Sequence, residues 1–235
     1  MAFPIASLLT HPLFLVGATV GAFQVGQTLY ERSGRLPVLQ PVLIAIAGMI
    51  AFLTISGVPY EAYHEGTSML HLLLGPAIVA LAVPLAENLR KARSTLGPLL
   101  VALVVGGAGV TLSALLIGRL AGLDGAMLLS LTTKSVSAPI ALGVADAIGG
   151  DASLTILSVF TTGIFGVVAA PTILRLLRVE DEAVRGFTLG LTSHAFGIAR
   201  SLEISSQAAA FATLGMGLMG CATAVAVPVL YALAG

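Results

Sequence analysis

The sequence predicts an all-helical membrane protein with about seven or eight membrane elements, and three observations carry that prediction. Of 235 residues, 57% are hydrophobic and only 9% charged, against roughly 25% charged in ordinary soluble domains. Mean hydropathy is +1.03, and apolar runs of about 20 residues, each able to cross a hydrocarbon core about 30 Å thick, recur along the chain. The runs are also continuous, whereas a membrane β-barrel is built from segments of about ten residues that alternate in polarity. Basic and acidic residues number 11 each, so no charge excess points to nucleic acid.

Leu13 to Tyr30 is expected as the first span and Leu36 to Ser56 as the second, followed by the polar loop GVPYEAYHEG. Thr67 to Ala86 makes a third, interrupted by Gly75, Pro76 and Pro84, and ENLRKAR follows it. Gly97 to Ile117 is the fourth, in which Gly106, Gly107 and Gly109 suit close helix approach. Leu154 to Leu174 is a clean span that ends in RLLRVEDEAVR, where Glu180, Asp181 and Glu182 read as a solvated helix start. The opening MAFPIASLLTHPLF has no basic n-region or small-residue cleavage site and is expected to belong to the mature chain. Cys221 lies in an apolar run and is expected as a small buried packing residue.

Lysine and arginine close to span ends stay on the cytoplasmic side. Arg32 and Arg35 share one loop, and Arg90, Lys91 and Arg93 share another two spans later. Both loops are therefore expected inside, which puts the N-terminus outside, and the loop of Arg119 and Asp124 outside too. Arg175, Arg178 and Arg185 mark the loop after Leu174 as inside again. Parity then requires that Ala126 to Ile148 add no net crossing. A re-entrant hairpin does this, and LTTKSVSAPIALGV, polar and proline-broken at mid-length, fits one. Non-helical backbone at membrane depth survives only where protein or a water-filled cavity supplies hydrogen-bond partners. A broken helix that does cross, with the third or fourth span miscounted, is the alternative.

The polar segment has a second copy. LTTKSVSAPIAL from Leu131 aligns with LTSHAFGIARSL from Leu191, so that Lys134 falls on His194. Downstream, after one short gap, Gly163 meets Gly220 and Pro171 meets Pro228. A polar broken segment followed by one clean span, repeated, gives copies that point oppositely through the membrane. That is the inverted repeat with which many secondary transporters build a mid-membrane site; shared transmembrane composition is the alternative source of the match. On this plan residues 1–125, including the broken span 67–86, are a scaffold and dimer contact. Residues 126–235 are a two-copy transport core, with copies at 126–178 and 186–235.

Four ordered motifs, LLLGPAIVALAVPL from Leu72, TTKSVSAPIAL from Thr132, GDASLTILSVFTTGIFG from Gly150 and GLTSHAFGIARSLE from Gly190, resemble the LrgB/CidB family of bacterial membrane proteins. The carboxyl-terminal half of the plant plastidial glycolate/glycerate translocator is similar. The family's commoner wording has proline before the lysine and threonines after it, where this chain has Thr133, Ser135 and Ser137. The resemblance implies a multi-pass protein of the bacterial cell (inner) membrane, a homo-oligomer such as a dimer, with a small LrgA/CidA-like membrane protein as a further partner. It also implies one of two activities: holin-like or antiholin-like modulation of murein hydrolases and autolysis, or transport of small hydroxy and keto acids.

The residues themselves favour anion chemistry. A charge at mid-bilayer costs about 2.5 to 3.5 kcal/mol on insertion scales, so Lys134 is expected to face a cavity or a partner. Two readings stand: a carboxylate-binding ammonium, or a structural ion pair with Asp146 or Glu203. Thr132, Thr133, Ser135 and Ser137 either donate to the same anion or bond back to helix carbonyls. In the second copy, Ser193 and His194 hold the matching place. A neutral imidazole is the natural proton carrier of a coupled transporter, and a satisfied buried histidine is the alternative. Arg200 either grips a carboxylate through two parallel bonds or snorkels to the interface beside Glu203. Broken helices add half-helix N-termini that attract anions.

No catalytic, metal-ligand or phosphate-loop spacing is present, and the chain is expected not to be an enzyme and to use no cofactor, with coupling to H+ or Na+ left open. The expected function is a secondary transporter of a small organic anion such as glycolate, glycerate, lactate or pyruvate. A holin-like oligomeric pore or regulator is the alternative.

Overall fold

The computed structural model describes residues 5–234, which form helices joined by short turns, with no strand among them. The first four residues of the stretch read as mature chain lie outside the described residues. The chain divides into two compact units that part after Ala80.

The first unit contains α1 (Ile5–Leu9), α2 (Pro12–Arg32), a 3-10 turn (Pro37–Leu39), α3 (Pro41–Ser56), α4 (Tyr60–Gly66) and α5 (Ser68–Ala80). His11 caps α2 by accepting from the Leu13 amide at 3.3 Å. The second span was expected from Leu36, but its helix starts at Pro41. Pro37 and Pro41 both lack an N–H, so each starts a helix and cannot continue one. A left-handed Gly57, at φ 70°, ends α3. Gly26 lets α2 meet the start of α3, since a Cβ there would lie 2.6 Å from the Pro41 carbonyl oxygen.

The second unit contains α6 (Ala82–Glu87), α7 (Leu89–Ser94), α8 (Leu96–Leu120), α9 (Gly125–Ser130), a 3-10 turn (Leu131–Thr133), α10 (Ala138–Ile148), α11 (Ala152–Leu176), α12 (Glu182–Leu202) and α13 (Ser206–Ala234). The third expected span is broken at Leu81, and Pro76 is carried inside α5. Pro84 explains the place, because its ring clashes with the carbonyl four residues before it, that of Ala80. Among the described residues five helices are long and apolar enough to cross a membrane: Pro12–Arg32, Ser68–Glu87, Leu96–Leu120, Ala152–Leu176 and Ser206–Leu233. Pro41–Ser56 and Ala138–Ile148 are shorter and apolar. The protein is therefore an all-α membrane protein.

Two elements double back. His194 interrupts α12 with φ 42° and ψ −125°, values that belong to the first central position of a type II′ turn, where glycine is the usual residue. Beyond it the helix folds onto itself, so that Gly197 abuts the carbonyl of Leu189 and the amide of Gly190. The Ser205 hydroxyl donates to Glu182 Oε2 at 2.6 Å. A straight helix of this length would hold those ends roughly 30 Å apart. α12 is thus two antiparallel half-helices whose outer ends meet.

The segment from α9 to α10 behaves similarly. Ser130 Oγ accepts from the Asp151 amide at 2.8 Å, which ties its entry to its exit. Between them lie the 3-10 turn, the non-helical residues 134–137 and α10. An α10 of 11 residues reaches about 16 Å, close to half the hydrocarbon thickness.

Small residues hold the doubled α12 against α13. Gly186 and Gly190 lie directly on the carbonyls of Ala208 and Ala212, and Gly215 lies on that of Phe187. Ala208, Ala209, Ala210 and Ala212 are fully buried. This is small-xxx-small packing, in which backbones approach because no side chain separates them. Val136, Val159, Phe187, Leu191, Phe211 and Met219 centre the apolar core. Cys221 corrects the expectation that it is a buried packing residue, for it is exposed. Gly220 and Thr223 are the residues of that turn that face inward.

Candidate functional site

The non-helical residues 134–137 follow from local chemistry. Thr132 donates to the Leu129 carbonyl at 2.7 Å and Thr133 to the Ser130 carbonyl at 3.4 Å, closing the 3-10 turn. These threonines therefore spend their hydroxyls on the backbone. Pro139 in the first turn of α10 fixes where the new helix begins. Ser137 occupies the N-cap position of α10 without a side-chain cap bond.

Two of the three residues between Thr133 and Ser137 stand out. Ser135 is buried, and its Oγ has no hydrogen-bond partner. Lys134 is half-buried, and among the described residues no carboxylate lies within ion-pair distance of it. The expected alternative partners are accounted for otherwise, since Glu203 binds Arg200 and Asp146 makes no ion pair. Val136, pinned in the core, fixes the loop between them.

In the second copy Ser193 and His194 are both buried. His194 Nε2 lies 3.2 Å from the Val159 carbonyl oxygen on α11. A carbonyl only accepts, so Nε2 carries the proton in this contact and Nδ1 is left to gain or lose one. Two glycines of α11 make the room: a Cβ on Gly163 would fall 2.6 Å from the Phe196 ring and 2.8 Å from His194 Cε1, and one on Gly166 would overlap the Ser193 hydroxyl. Phe196 meets the His194 ring edge-on, at 5.7 Å between centroids.

Both broken elements rest on neighbouring residues of α11. Ser158 Oγ lies 3.4 Å from the Ser130 carbonyl oxygen, and the next residue, Val159, supplies the carbonyl met by His194. Gly220, the partner of Gly163 in the sequence alignment, is met by Ile140 of α10. Of these two aligned glycines, Gly163 of α11 thus meets α12 and Gly220 of α13 meets α10. Arg200 lies elsewhere, paired with Glu203 near the end of α12.

Sequence reasoning did not single out Ser158, Gly166 or Thr155, whose buried Oγ1 has no partner. Hydroxyls and glycines are common in apolar helices, and only the repeat alignment of Gly163 with Gly220 gave a signal here. An apolar cavity of about 550 Å³ runs between α8 and α13, lined by Leu103, Gly107, Thr111 and Met219 among others. Thr132 is the candidate residue that reaches it.

A polar clasp lies at the end of the unit where α12 starts. Asp181 caps α12 by accepting from the Ala183 and Val184 amides. Lys91 of α7 reaches Asp181 at 3.3 Å and Gln207 of α13 at 3.1 Å. The Val184 amide first, then Lys91 and the Ala183 amide, hold the Asp181 carboxyl below its ordinary range against the opposing effect of desolvation. The basic loops around Lys91 and Arg178 therefore share one end of the unit.

The family model described as LrgB-like matches residues 19–233. The Holin-like protein CidB of Staphylococcus aureus (strain N315) is 31% identical over 221 residues, covering 93% of this chain and 95% of that protein. The Holin-like protein CidB of Staphylococcus epidermidis (strain ATCC 12228 / FDA PCI 1200) is 29% identical with the same coverage. The Bacillus subtilis (strain 168) protein YxaC is 34% identical over 206 residues, covering 88% of this chain and 89% of its own. No solved structure matches the chain. A match that runs through both broken elements and the helices that seat them leads to one conclusion: this chain belongs to the LrgB-like family.

Proposed function

We propose that this protein is a secondary carrier of small monocarboxylates such as glycolate, glycerate, lactate or pyruvate, working in a bacterial cell membrane. One observation carries the reading: at the turn of a doubled-back element, a lysine without a carboxylate partner stands beside Ser135, whose buried hydroxyl has none either. A buried polar group without a partner costs roughly 1 to 3 kcal/mol. A carboxylate docked there would satisfy the ammonium and the hydroxyl together. His194, with Nδ1 available, supplies a proton-coupled step in the second element.

The crossed seating of the two elements on α11 and α13 supports an inverted repeat, entered from opposite sides of the membrane. On this plan the repeat is the transport core, the earlier helices are the scaffold and dimer contact, and no catalytic step or cofactor is involved. The test is exchange of labelled glycolate or pyruvate by the purified protein in liposomes. Saturable exchange that Lys134→Ala abolishes is expected. Inactivity of the wild type against a panel of two- to four-carbon acids overturns the proposal.

A holin-like role is the second reading, and the names of the staphylococcal relatives favour it. It places function in an oligomeric assembly, with a small LrgA/CidA-like protein as the partner. Non-saturable release of a bulky dye from the same liposomes is its signature.

A further inference from the structure

The first unit contains a cleft of about 250 Å³ lined by Tyr60, Tyr63, His64, Thr67 and His71, none of which belongs to the proposed carrier site. His64 sits on α4 and His71 on α5. On one straight helix residues seven apart are separated by about 10.5 Å of rise. Here the turn at Thr67, with φ −99° and ψ 10°, breaks the helix between them, and the two imidazole rings come to 5.0 Å between centroids with 61° between their planes.

That spacing matches the one two imidazoles adopt when they share a metal ion. A zinc ion bonded to imidazole nitrogen at about 2.0 to 2.1 Å lies roughly 3.2 Å from the ring centre, and two such rings at a tetrahedral angle have centres about 5 Å apart. The rings are also held. Tyr60 stacks on His64 at 5.9 Å, Tyr63 is fixed through its hydroxyl to Thr19 at 3.2 Å, and Thr67 donates to the Tyr63 carbonyl at 2.8 Å. Both histidines are exposed and line the cleft.

We infer that His64 and His71 form a two-histidine site for a divalent transition-metal ion of the kind that imidazole prefers, Zn2+, Cu2+ or Ni2+. Among the described residues no group of three or more histidine, cysteine, aspartate or glutamate side chains is placed to hold a metal. The site is therefore an open one, with two protein ligands and the remaining positions left to water or a small ligand. Hard ions such as Mg2+, which demand oxygen donors, do not suit it.

The experiment is isothermal titration of the purified full-length protein in detergent with ZnCl2, with MgCl2 as the control. One Zn2+ per chain and no response to Mg2+ are expected. His71→Gln and His64→Gln, each confirmed as folded by circular dichroism and size exclusion, should each weaken Zn2+ binding at least tenfold. Electron paramagnetic resonance of the Cu2+-loaded protein should show coupling to two nitrogens in the wild type and to one in either variant. Absence of Zn2+ binding by the wild type, or binding that neither substitution weakens, overturns the inference.

Discussion

At the scale of the residue, two positions separate function from folding. Ser135 has a buried hydroxyl with no partner, so Ser135→Ala removes a group that the fold does not use. The variant should be as stable as the wild type or more stable by about 1 kcal/mol, while the KM for a carboxylate substrate rises several-fold. Thermal unfolding followed by circular dichroism, set beside exchange kinetics, checks both halves. His194 holds a glycine-like backbone at φ 42°, a strain of order 1 to 3 kcal/mol. His194→Gly relieves that strain and His194→Ala does not, so the glycine variant should be the more stable by about 1 kcal/mol even though alanine fills more space. If the imidazole moves a proton, neither variant will show the pH dependence of wild-type exchange. If His194 only shapes the turn, the glycine variant will transport normally.

Elements in this protein are held by close backbone approach more than by large side chains. A Cβ on Gly190 would fall on the Ala212 carbonyl, whereas one on Gly109 meets nothing within 4 Å. Gly190→Ala should therefore cost at least about 1 to 3 kcal/mol through overpacking. Gly109→Ala should be neutral or stabilising by up to about 1 kcal/mol through helix propensity. The two melting curves, measured side by side, decide this. The cap on α12 adds a pH effect. Because folding lowers the pKa of Asp181, its contribution is present above the ordinary carboxylate pKa of about 4 and is lost as pH falls through the lower folded value. Asp181→Ala should cost about 0.5 to 2 kcal/mol at neutral pH, the usual range for a lost cap. Asp181→Asn should keep most of the cap and remove the acid sensitivity. Since the carboxylate is half-exposed, added salt should weaken its pairing with Lys91.

At the scale of the whole molecule the decisive feature is that the two ends of each of two elements meet, through Ser130 with Asp151 and through Glu182 with Ser205. In a Cys221→Ser background, single cysteines at Glu182 and Ser205 should react with an impermeant thiol reagent from one face of oriented vesicles. Cysteines at Asp124 and Asp151 should react from the other face. Labelling of positions 182 and 205 from opposite faces would show that α12 crosses.

Much of this was legible in the chain itself. Continuous apolar runs marked the helices and a polar, proline-containing stretch marked 134–137 as a break, because each is a local property of composition. Tertiary structure alone decided the rest. The break in LTSHAFGIARSL was expected only through its alignment with the first polar segment; it has no proline to mark the place, and the structure puts the reversal at His194. The cause lies outside the segment, in Gly163 and Gly166 of α11, which make room for the turn, and in Gly197, which lets the two arms touch. The same holds for Cys221, which faces outward because its neighbours face the core. Apolar periodicity sets which segments enter a membrane, but where a chain turns inside it depends on which distant backbones can come close enough to support the turn.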